Sequence, residues 1–368
     1  MYITFFRQIS DFFAVKAYSR EALKMRDYST ILSVANNSEG RDIMIIGSFM
    51  PLHSVWDERI DALQCEFPQH KFLSGLKPES PEAAELDIIL AGKLPLETYL
   101  QSRNIRAIFQ AFTGINHLPL PQLLDRGVHV FNVHTNAFDV AEKALAMTLA
   151  FYGRLIEFHN DLKKTVWHGF WVRAGAEDNW DSLYGRRCTI LGMGAIGTAL
   201  ARLLKAFSCE VCGWRKRREA IVPEGFDEVV YDLEEAIAKS EIIFIALPAT
   251  PLTEGLLSRE ILASMKGKFL VNVGRGSIVE EEGLYLALRD GVLKGAAIDT
   301  WYTYPQASRI GAPSRFPIHE LPNVIMSPHV GGATNQASLR AIDETVENIR
   351  DYLRKGSCKS EADLKAMY

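Results

Sequence analysis

The stretch from Thr189 to Phe207, TILGMGAIGTALARLLKAF, decides the fold. It begins as an apolar strand, passes through glycines spaced G-x-G-x-x-G, and continues with the periodicity of an amphipathic helix. Gly192, Gly194 and Gly197 permit a tight turn, close approach of a pyrophosphate and close packing of the helix on the sheet. This strand–turn–helix context predicts a dinucleotide-binding loop rather than glycines that serve only the turn.

On both sides of this loop, short apolar strands alternate with amphipathic helices, a pattern typical of parallel sheets covered on both faces. The predicted strands are residues 42–48, 86–92, 105–112 and 128–133 in a first series, and 188–194, 210–214, 242–248, 269–274, 295–300 and 323–329 in a second. A helix is predicted from Ser54 to Gln64, and one long connecting helix from Asp139 to His159. The predicted fold class is α/β, with two doubly wound parallel-sheet (Rossmann-like) domains and an active-site cleft between them.

The length of 368 residues favours two domains over one. We predict a substrate-binding (catalytic) domain from residues 41–136 plus 330–355, a dinucleotide-binding domain from 137–329, and a C-terminal tail from 356–368. Residues 1–40 are interpreted as an extension, either an extra helix, an oligomer arm or the result of a start codon placed too early. Their apolar runs are too short for a signal-peptide core or a membrane span.

The composition is that of a globular protein, with 48% hydrophobic and 23% charged residues. A net charge of −4 gives no bulk attraction to nucleic acid or acidic membranes, so neither is expected as a partner. The five scattered cysteines favour a reducing compartment, and the predicted location is cytoplasmic. Cys209 and Cys212 spell C-x-x-C along a predicted strand, which favours packing over metal or redox chemistry, and no metal is predicted.

A basic cluster, Arg215, Lys216, Arg217 and Arg218, follows the strand that ends at Trp214. In dinucleotide-binding domains an acid about 20 residues beyond the glycines accepts hydrogen bonds from the adenosine ribose. Arginine stands there instead, and its planar fork binds phosphate oxygens. The cluster therefore predicts a clamp for a 2′-phosphate and NADP(H) as cofactor, with NAD(H) weaker. The alternative, above all for Arg218, is that individual members face water in a turn.

Four further segments, taken with the glycine loop, resemble the D-isomer-specific 2-hydroxyacid dehydrogenase family in order and spacing. They are ALPATPLTEGLL, LVNVGRGSIVEEEGL, GAAIDTWYTYPQ and NVIMSPHVGGAT. The resemblance covers roughly residues 41–355 and is strongest over 192–332. It implies a two-domain fold, a nicotinamide cofactor, reversible hydride transfer between a 2-hydroxyacid and a 2-ketoacid, and usually a homodimer.

Two residues match the catalytic positions of that family. Hydride delivery to a ketone needs a cation that orients the substrate carboxylate and an acid that protonates the developing alkoxide. Arg275, after the strand FLVNVG, matches the substrate arginine, and His329, in SPHVGG, matches the general acid/base. Taken alone, Arg275 is equally well explained as a surface arginine, and His329 as a core histidine. Together, at strand ends, the two residues predict a catalytic site.

The resemblance also implies the residues around the substrate and the cofactor. Phe112, Thr113 and Gly114 are candidates for the loop that receives the substrate carboxylate. Asn136 either approaches the nicotinamide or substrate or caps the long helix, and Asp299 either holds the cofactor carboxamide or caps a helix. The predicted cofactor-binding residues are Gly192, Met193, Gly194, Ala195, Ile196, Gly197, Arg215, Lys216, Arg217, Leu247, Pro248, Val273, Asp299, Gly331 and Gly332.

Tyr304 departs from the family pattern. The family's dehydrogenases usually place a glutamate five residues after the aspartate and before a proline, where it pairs with the histidine; here the spacing gives Asp299, Tyr304 and Pro305. Tyr304 is therefore a third candidate catalytic residue. Arg309 and Arg315, in the segment that follows, either approach the cleft or sit in solvent.

The predicted function is an NADP(H)-dependent oxidoreductase that interconverts a small 2-keto acid and its D-2-hydroxy acid, with reduction the favoured direction. One alternative is formate-dehydrogenase-like oxidation of a small carboxylate, prompted by the missing glutamate. The other is a non-enzymatic, NADP-sensing dimeric scaffold. The presence of both Arg275 and His329 argues against the scaffold, because binding NADP requires neither.

Overall fold

The computed structural model describes residues 43–49, 54–90, 92–218, 221–306 and 308–365. Within them the chain forms two sheets whose strand pairs are all parallel. The predicted N-terminal extension, residues 1–40, lies outside the described residues.

The strands follow one another along the chain in two series, one for each sheet. They are β1 (Ile45–Ser48), β2 (Lys71–Leu73), β3 (Ile88–Leu90), β4 (Ala107–Phe109), β5 (His129–Phe131), β6 (Arg187–Leu191), β7 (Glu210–Trp214), β8 (Glu228–Val230), β9 (Ile242–Ile245), β10 (Phe269–Asn272), β11 (Gly295–Ile298) and β12 (Val324–Met326). The first sheet has the order β2-β1-β3-β4-β5 and the second the order β12-β11-β10-β9-β6-β7-β8. The direction of winding reverses between β1 and β3 and between β6 and β9, and ligands of such sheets bind outside the carboxyl ends of strands at these reversals. The predicted fold class, two doubly wound parallel sheets, is confirmed.

Helices cover the faces of both sheets. They are α1 (Ser54–Glu66), α2 (Leu96–Leu100), α3 (Leu120–Asp125), α4 (Ala137–Tyr152), α5 (Leu155–Leu162), α6 (Ala195–Lys205), α7 (Leu233–Ala238), α8 (Arg259–Ser264), α9 (Glu281–Arg289) and α10 (Asn335–Lys355). The central strands β3, β4, β9 and β10 are buried along their whole length, which is why they read as continuous apolar runs. Cys209 and Cys212 are buried in the core of the second sheet.

The predicted single helix from Asp139 to His159 is wrong: it is two helices, α4 and α5. Arg154 has φ +48°, a left-handed conformation that an α-helix cannot contain. Its guanidinium binds the Glu157 carboxylate and donates to the Glu177 carbonyl oxygen at 3.0 Å, so the break is fixed by side-chain contacts outside the periodic pattern. The short edge strands β2 and β8 were also not among the predicted strands, because three residues carry little periodicity.

The C-terminal part of the chain returns to the first sheet. Val346, Ile349 and Tyr352 of α10 pack into the core of that sheet. Beyond α10, the Ala362 amide donates to the Val130 carbonyl oxygen at 2.8 Å, so the tail runs beside β5.

The exact domain boundaries stay a prediction. Among the described residues, helices long and apolar enough to cross a membrane are absent.

Candidate active site

The glycine loop lies between β6 and α6, at the reversal of the second sheet. Gly192 has φ +105°, and a Cβ there would lie 2.9 Å from the Ala246 carbonyl oxygen. A Cβ on Gly197 would overlap the carbonyl oxygen of Gly192. Gly194, at the N-cap of α6, has no atom within 4 Å of an added Cβ. Two glycines therefore serve the turn and the helix packing, whereas the third leaves open space at a helix N-terminus, where a phosphate fits.

The other predicted cofactor residues of this region surround the loop. The Leu247 side chain would lie 3.1 Å from a Cβ on Gly192, and Thr253 donates a hydrogen bond of 2.7 Å to the Pro248 carbonyl oxygen. Met193 contacts Gly213, the residue before Trp214 in β7. Ala195 and Ile196 form the first turn of α6, and Val273 is buried directly after β10.

The basic cluster begins where β7 ends. Arg215 is half-buried, and its Nη2 donates to the Ile221 carbonyl oxygen at 2.9 Å. Lys216, Arg217 and Arg218 are exposed, and the Arg218 guanidinium lies 5.1 Å from the centre of the Tyr231 ring. Stacking on tyrosine gives Arg218 a structural contact of its own. Lys216 and Arg217 present positive charge to solvent beside the glycine loop.

Arg275 meets the first domain across the cleft. Its Nη1 donates to the Gly274 carbonyl oxygen at 2.7 Å, and its Nη2 would lie 2.9 Å from a Cβ on Gly114. Only glycine fits at position 114 without displacing the guanidinium. Burial lowers the pKa of Arg275 from its ordinary value, but arginine remains a cation in proteins. The predicted substrate arginine and the predicted carboxylate-binding loop are thus brought together.

Asn272, a buried residue that was not predicted as part of the site, holds the turn that carries Arg275. Its Nδ2 donates to the Arg275 carbonyl oxygen at 3.0 Å, and its Oδ1 accepts from the Gly274 amide at 3.1 Å. An amide provides both a donor and an acceptor, as this turn requires. The sequence signal was one polar residue inside the apolar strand FLVNV.

The first-domain loop is held by three polar side chains. Asn132 donates to the Thr113 carbonyl oxygen at 2.6 Å, and the Thr113 hydroxyl donates to the Val133 carbonyl oxygen at 2.9 Å and to Asn136 Oδ1 at 3.3 Å. Asn136 occupies the N-cap position of α4, but its side chain makes no capping hydrogen bond. The helix-capping interpretation of Asn136 is therefore wrong, and its approach to substrate or cofactor stays a prediction.

A hydrogen bond connects this loop to the second domain, because Asn116 Nδ2 donates to the Ala249 carbonyl oxygen at 3.0 Å. A Cβ on Gly332 would overlap the Asn136 amide group, so two predicted residues of the substrate-binding domain lie in close contact. Phe112 stacks obliquely on the His117 ring at 5.5 Å between ring centres. The predicted carboxylate-binding loop therefore contacts the second domain through Asn116 and faces Arg275 through Gly114.

Asp299 positions the loop that carries His329. Its buried carboxylate accepts hydrogen bonds from the Val330 amide at 3.1 Å and the Gly331 amide at 2.9 Å. These bonds support His329 in a left-handed conformation, φ +58°, that few non-glycine residues adopt. Asp299 does not cap a helix, and its predicted contact with a cofactor carboxamide stays a prediction.

Tyr304 touches His329. The phenol oxygen lies 2.8 Å from His329 Nδ1 and accepts a hydrogen bond of 3.0 Å from the Trp301 amide. The amide occupies a lone pair of the oxygen, and the phenol proton remains available to Nδ1 when the imidazole is neutral. In the imidazolium form, Nδ1–H donates to the phenol oxygen instead. In either case Nε2 carries a proton and is the ring nitrogen left for another partner.

The charges around this pair oppose protonation of the imidazole. Burial lowers the pKa of His329 below its ordinary value, Arg275 and Lys93 lower it further, and Asp299 opposes them. Burial also raises the pKa of Tyr304 above its ordinary value, so the phenol is neutral near pH 7. A neutral hydrogen-bond partner supplies no charge to stabilise the imidazolium.

Arg309 and Arg315 have different surroundings. Arg315 Nε donates to the Glu281 carboxylate at 2.7 Å, so Arg315 secures its segment to α9. Arg309 lines a cavity of about 520 Å³ that Tyr304 and Pro305 also line. One arginine is thus structural, and the other faces a cavity next to the Tyr304 side chain.

Groups of three or more His, Cys, Asp or Glu placed to hold a metal ion are absent from the part of the chain that the structure describes.

A glycine loop at the reversal of one parallel sheet, facing a second doubly wound domain across a cleft, defines a two-domain dinucleotide-binding α/β protein. Residues 145–331 match the family model described as the D-isomer specific 2-hydroxyacid dehydrogenase, NAD binding domain. Together with the relatives described next, this match shows that the chain belongs to the D-isomer-specific 2-hydroxyacid dehydrogenase family.

Several relatives support this assignment. The glyoxylate/hydroxypyruvate reductase B of Pectobacterium carotovorum is 30% identical over 300 residues, which cover 78% of this chain and 90% of the relative. The glyoxylate reductase of Pyrococcus furiosus is 27% identical, over 82% of this chain and 85% of the relative. A solved structure, the NADPH-dependent glyoxylate/hydroxypyruvate reductase of Sinorhizobium meliloti in complex with NADP and malonate, is similar in fold, with a TM-score of 0.71, 22% identity and coverage of 88% of this chain and 98% of that one.

The contact between Tyr304 and His329 gives a prediction about proton affinity. Tyr304→Glu places a carboxylate beside the ring, so the pKa of His329 should rise, whereas Tyr304→Phe removes the hydrogen bond without adding charge. NMR titration of the His329 ring resonances in both variants measures this directly. The remaining histidines are the internal control. A His329 pKa that does not move in Tyr304→Glu, in a folded protein, would show that position 304 has no electrostatic influence on the ring.

Proposed function

We propose that this protein is an NADP(H)-dependent reductase that converts a small 2-keto acid into its D-2-hydroxy acid. The observation that carries the proposal is the meeting of Arg275 with the first-domain loop at Gly114, at the sheet edge that also carries His329. The glyoxylate/hydroxypyruvate reductase B and glyoxylate reductase among its relatives reduce acids of this class, as their names state.

The residues divide the chemistry between them. Arg275 and the backbone amides of residues 113–114 bind the substrate carboxylate, and the guanidinium polarises the adjacent carbonyl. His329 Nε2 donates a proton to the carbonyl oxygen as negative charge develops there. Bound NADPH supplies the hydride that reduces the carbonyl carbon. Tyr304 and Asp299 hold the imidazole in place, through its Nδ1 and through its loop respectively.

The cofactor fits the residues on the second sheet. Gly194 leaves space for a pyrophosphate at the N-terminus of α6, and the basic cluster stands at the end of β7, where the ribose is expected. We assign the 2′-phosphate of NADP to Arg215, Lys216 and Arg217. Arg218 contributes less, because it stacks on Tyr231.

The proposal includes a homodimer in the cytoplasm. Large apolar side chains between residues 155 and 184 are exposed, among them Trp167 at 59%, Phe170 at 75% and Trp171 at 75%. A patch of this kind is typical of a surface that another subunit covers. The five cysteines are all free, which suits a reducing compartment.

The function is tested by following NADPH absorbance with glyoxylate and a panel of 2-keto acids. Arg275→Ala should lower kcat/KM by about 100-fold or more, because both carboxylate binding and carbonyl polarisation are lost. His329→Ala should lower kcat by about 100- to 10,000-fold with little change in KM. Arg103→Ala, an exposed arginine on the first domain, is the control. Wild-type rates in both active-site variants would place the reaction elsewhere in the protein.

Cofactor preference is measured by titrating NADPH and NADH. Charge-assisted hydrogen bonds to the 2′-phosphate, discounted for solvent exposure, should favour NADPH by at least about 10-fold. Arg215→Asp should reverse the preference, since a carboxylate accepts hydrogen bonds from free ribose hydroxyls and repels phosphate. Equal affinity of the wild type for both cofactors would remove the basic cluster from the cofactor site.

The homodimer is tested by sedimentation velocity. The wild type should sediment at twice the chain mass, and Trp171→Glu should shift it toward the monomer, because burying an unpaired carboxylate is unfavourable. Ile310→Glu changes an even more exposed apolar residue, at 88%, outside the patch and serves as the control. A wild-type monomer at micromolar concentration would refute the assignment.

A further inference from the structure

Lys93 lies at the reversal of the first sheet. It follows β3, which pairs with both β1 and β4, and the winding changes direction between β1 and β3. The loop after β3 therefore leaves the sheet at the edge where doubly wound sheets bind ligands. The neighbouring loop, after β4, carries Gly114, which meets Arg275. Topology alone places the Lys93 loop beside the substrate carboxylate site.

A buried tyrosine holds this loop on both sides of Lys93. The Tyr99 hydroxyl donates to the Gly92 carbonyl oxygen at 2.6 Å and accepts from the Leu94 amide at 3.2 Å. Tyr99 is fully buried, and burial raises its pKa to about 12, so the hydroxyl stays protonated and able to donate. Lys93 itself is exposed. Its backbone position is therefore fixed while its side chain reaches into solvent-filled space.

The Tyr99 ring that holds this loop packs edge-on against the His117 ring at 6.3 Å between ring centres, and the His117 ring lies 5.5 Å from the ring of Phe112 in the carboxylate-binding loop. The Lys93 loop therefore borders the cleft beside that loop. Burial and the charge of Lys93 lower the pKa of His117, and Lys93 also contributes to the lowered pKa of His329 on the opposite domain, in agreement with this position. Within the described residues, Lys93 has neither an ion pair nor a side-chain hydrogen bond. Arg275 and Lys93 are thus two cations on opposite walls of one cleft.

We propose that Lys93 forms a second anion-binding position in the cleft, and that the natural substrate is a 2-keto acid with a second anionic group at its far end. Arg275 neutralises the carboxylate next to the ketone, and a singly charged keto acid has no second anionic group that could pair with Lys93. A dianion satisfies both cations. This inference rests on the proposed reductase function and names its substrate class.

The test compares substrates of the same shape and different charge. Oxaloacetate and 4-methyl-2-oxopentanoate differ in that a carboxylate replaces an isopropyl group, and 3-phosphohydroxypyruvate distinguishes a distal phosphate from a distal carboxylate. With NADPH, the wild type should show kcat/KM for at least one dianion roughly 10-fold or more above that for 4-methyl-2-oxopentanoate. The dianion that is preferred identifies the chemistry of the distal group.

Variants assign the preference to Lys93. Lys93→Met keeps the length of the side chain and removes its charge, so KM for the preferred dianion should rise roughly 10-fold, and by much more than KM for glyoxylate, which has no distal anionic group. Lys93→Glu should lower dianion turnover further. Lys71→Met is the control, because Lys71 is an exposed lysine at the amino-terminal end of β2, on the opposite edge of the sheet.

The failures of the two proposals are distinguishable. If glyoxylate is reduced but no dianion is preferred, or if Lys93→Met leaves the dianion preference intact, the inference about Lys93 is refuted and the reductase function stands. If no 2-keto acid is reduced, glyoxylate included, the proposed function fails and the substrate class fails with it.

Discussion

Parallel pairing of every strand in the second sheet is the constraint on which the site depends. All carboxyl ends of parallel strands lie at one edge, so the glycine loop, Arg275, Asp299 and His329 meet although up to 137 positions of sequence separate them, from Gly192 to His329 (329 − 192). The first sheet obeys the same rule and brings the loops after β3 and β4 to the cleft. An antiparallel strand at β10 or β12 would carry its candidate catalytic residue to the far edge of the sheet.

Polar side chains that touch backbone, rather than substrate, give this edge its shape. Asn272 fixes the turn before Arg275, Asp299 fixes the loop of His329, and Tyr99 fixes the loop of Lys93. All three are buried, where an unpaired polar group is costly and a satisfied one is rigid. Catalytic geometry requires this rigidity because misplacement of a reacting group by about 1 Å can lower the rate by about 100-fold. These positioning residues are less exposed than the candidate catalytic residues Arg275 and His329.

The sequence predicted what depends on periodicity and spacing, and failed where tertiary contacts decide. Local pattern predicts the glycine loop, the two parallel sheets and the residues at strand ends. Each of these features depends on short strand–turn–helix units that the sequence shows directly. The break between α4 and α5 does not, since Arg154 is held there by Glu157 and by a carbonyl more than 20 residues away. Lys93 was not among the predicted site residues, because a lysine after an apolar strand has no distinguishing spacing in the sequence. Asn136 shows the converse: its position suits a helix cap, yet its amide bonds Thr113 instead.

Tyr304 changes the electrostatic balance of the whole cleft. A glutamate at this position would place a negative charge beside the imidazole and near Arg275. The phenol keeps the hydrogen bond to Nδ1 and supplies no such charge against Arg275 and Lys93, the two cations that lower the pKa of His329. Asp299, whose charge raises the pKa of the imidazole, has its oxygens engaged by backbone amides. If the proposed substrate anion binds between Arg275 and Lys93, the pKa of His329 should be higher in the complex than in the free protein. Under the proposed mechanism, the substrate would then help to protonate its own general acid.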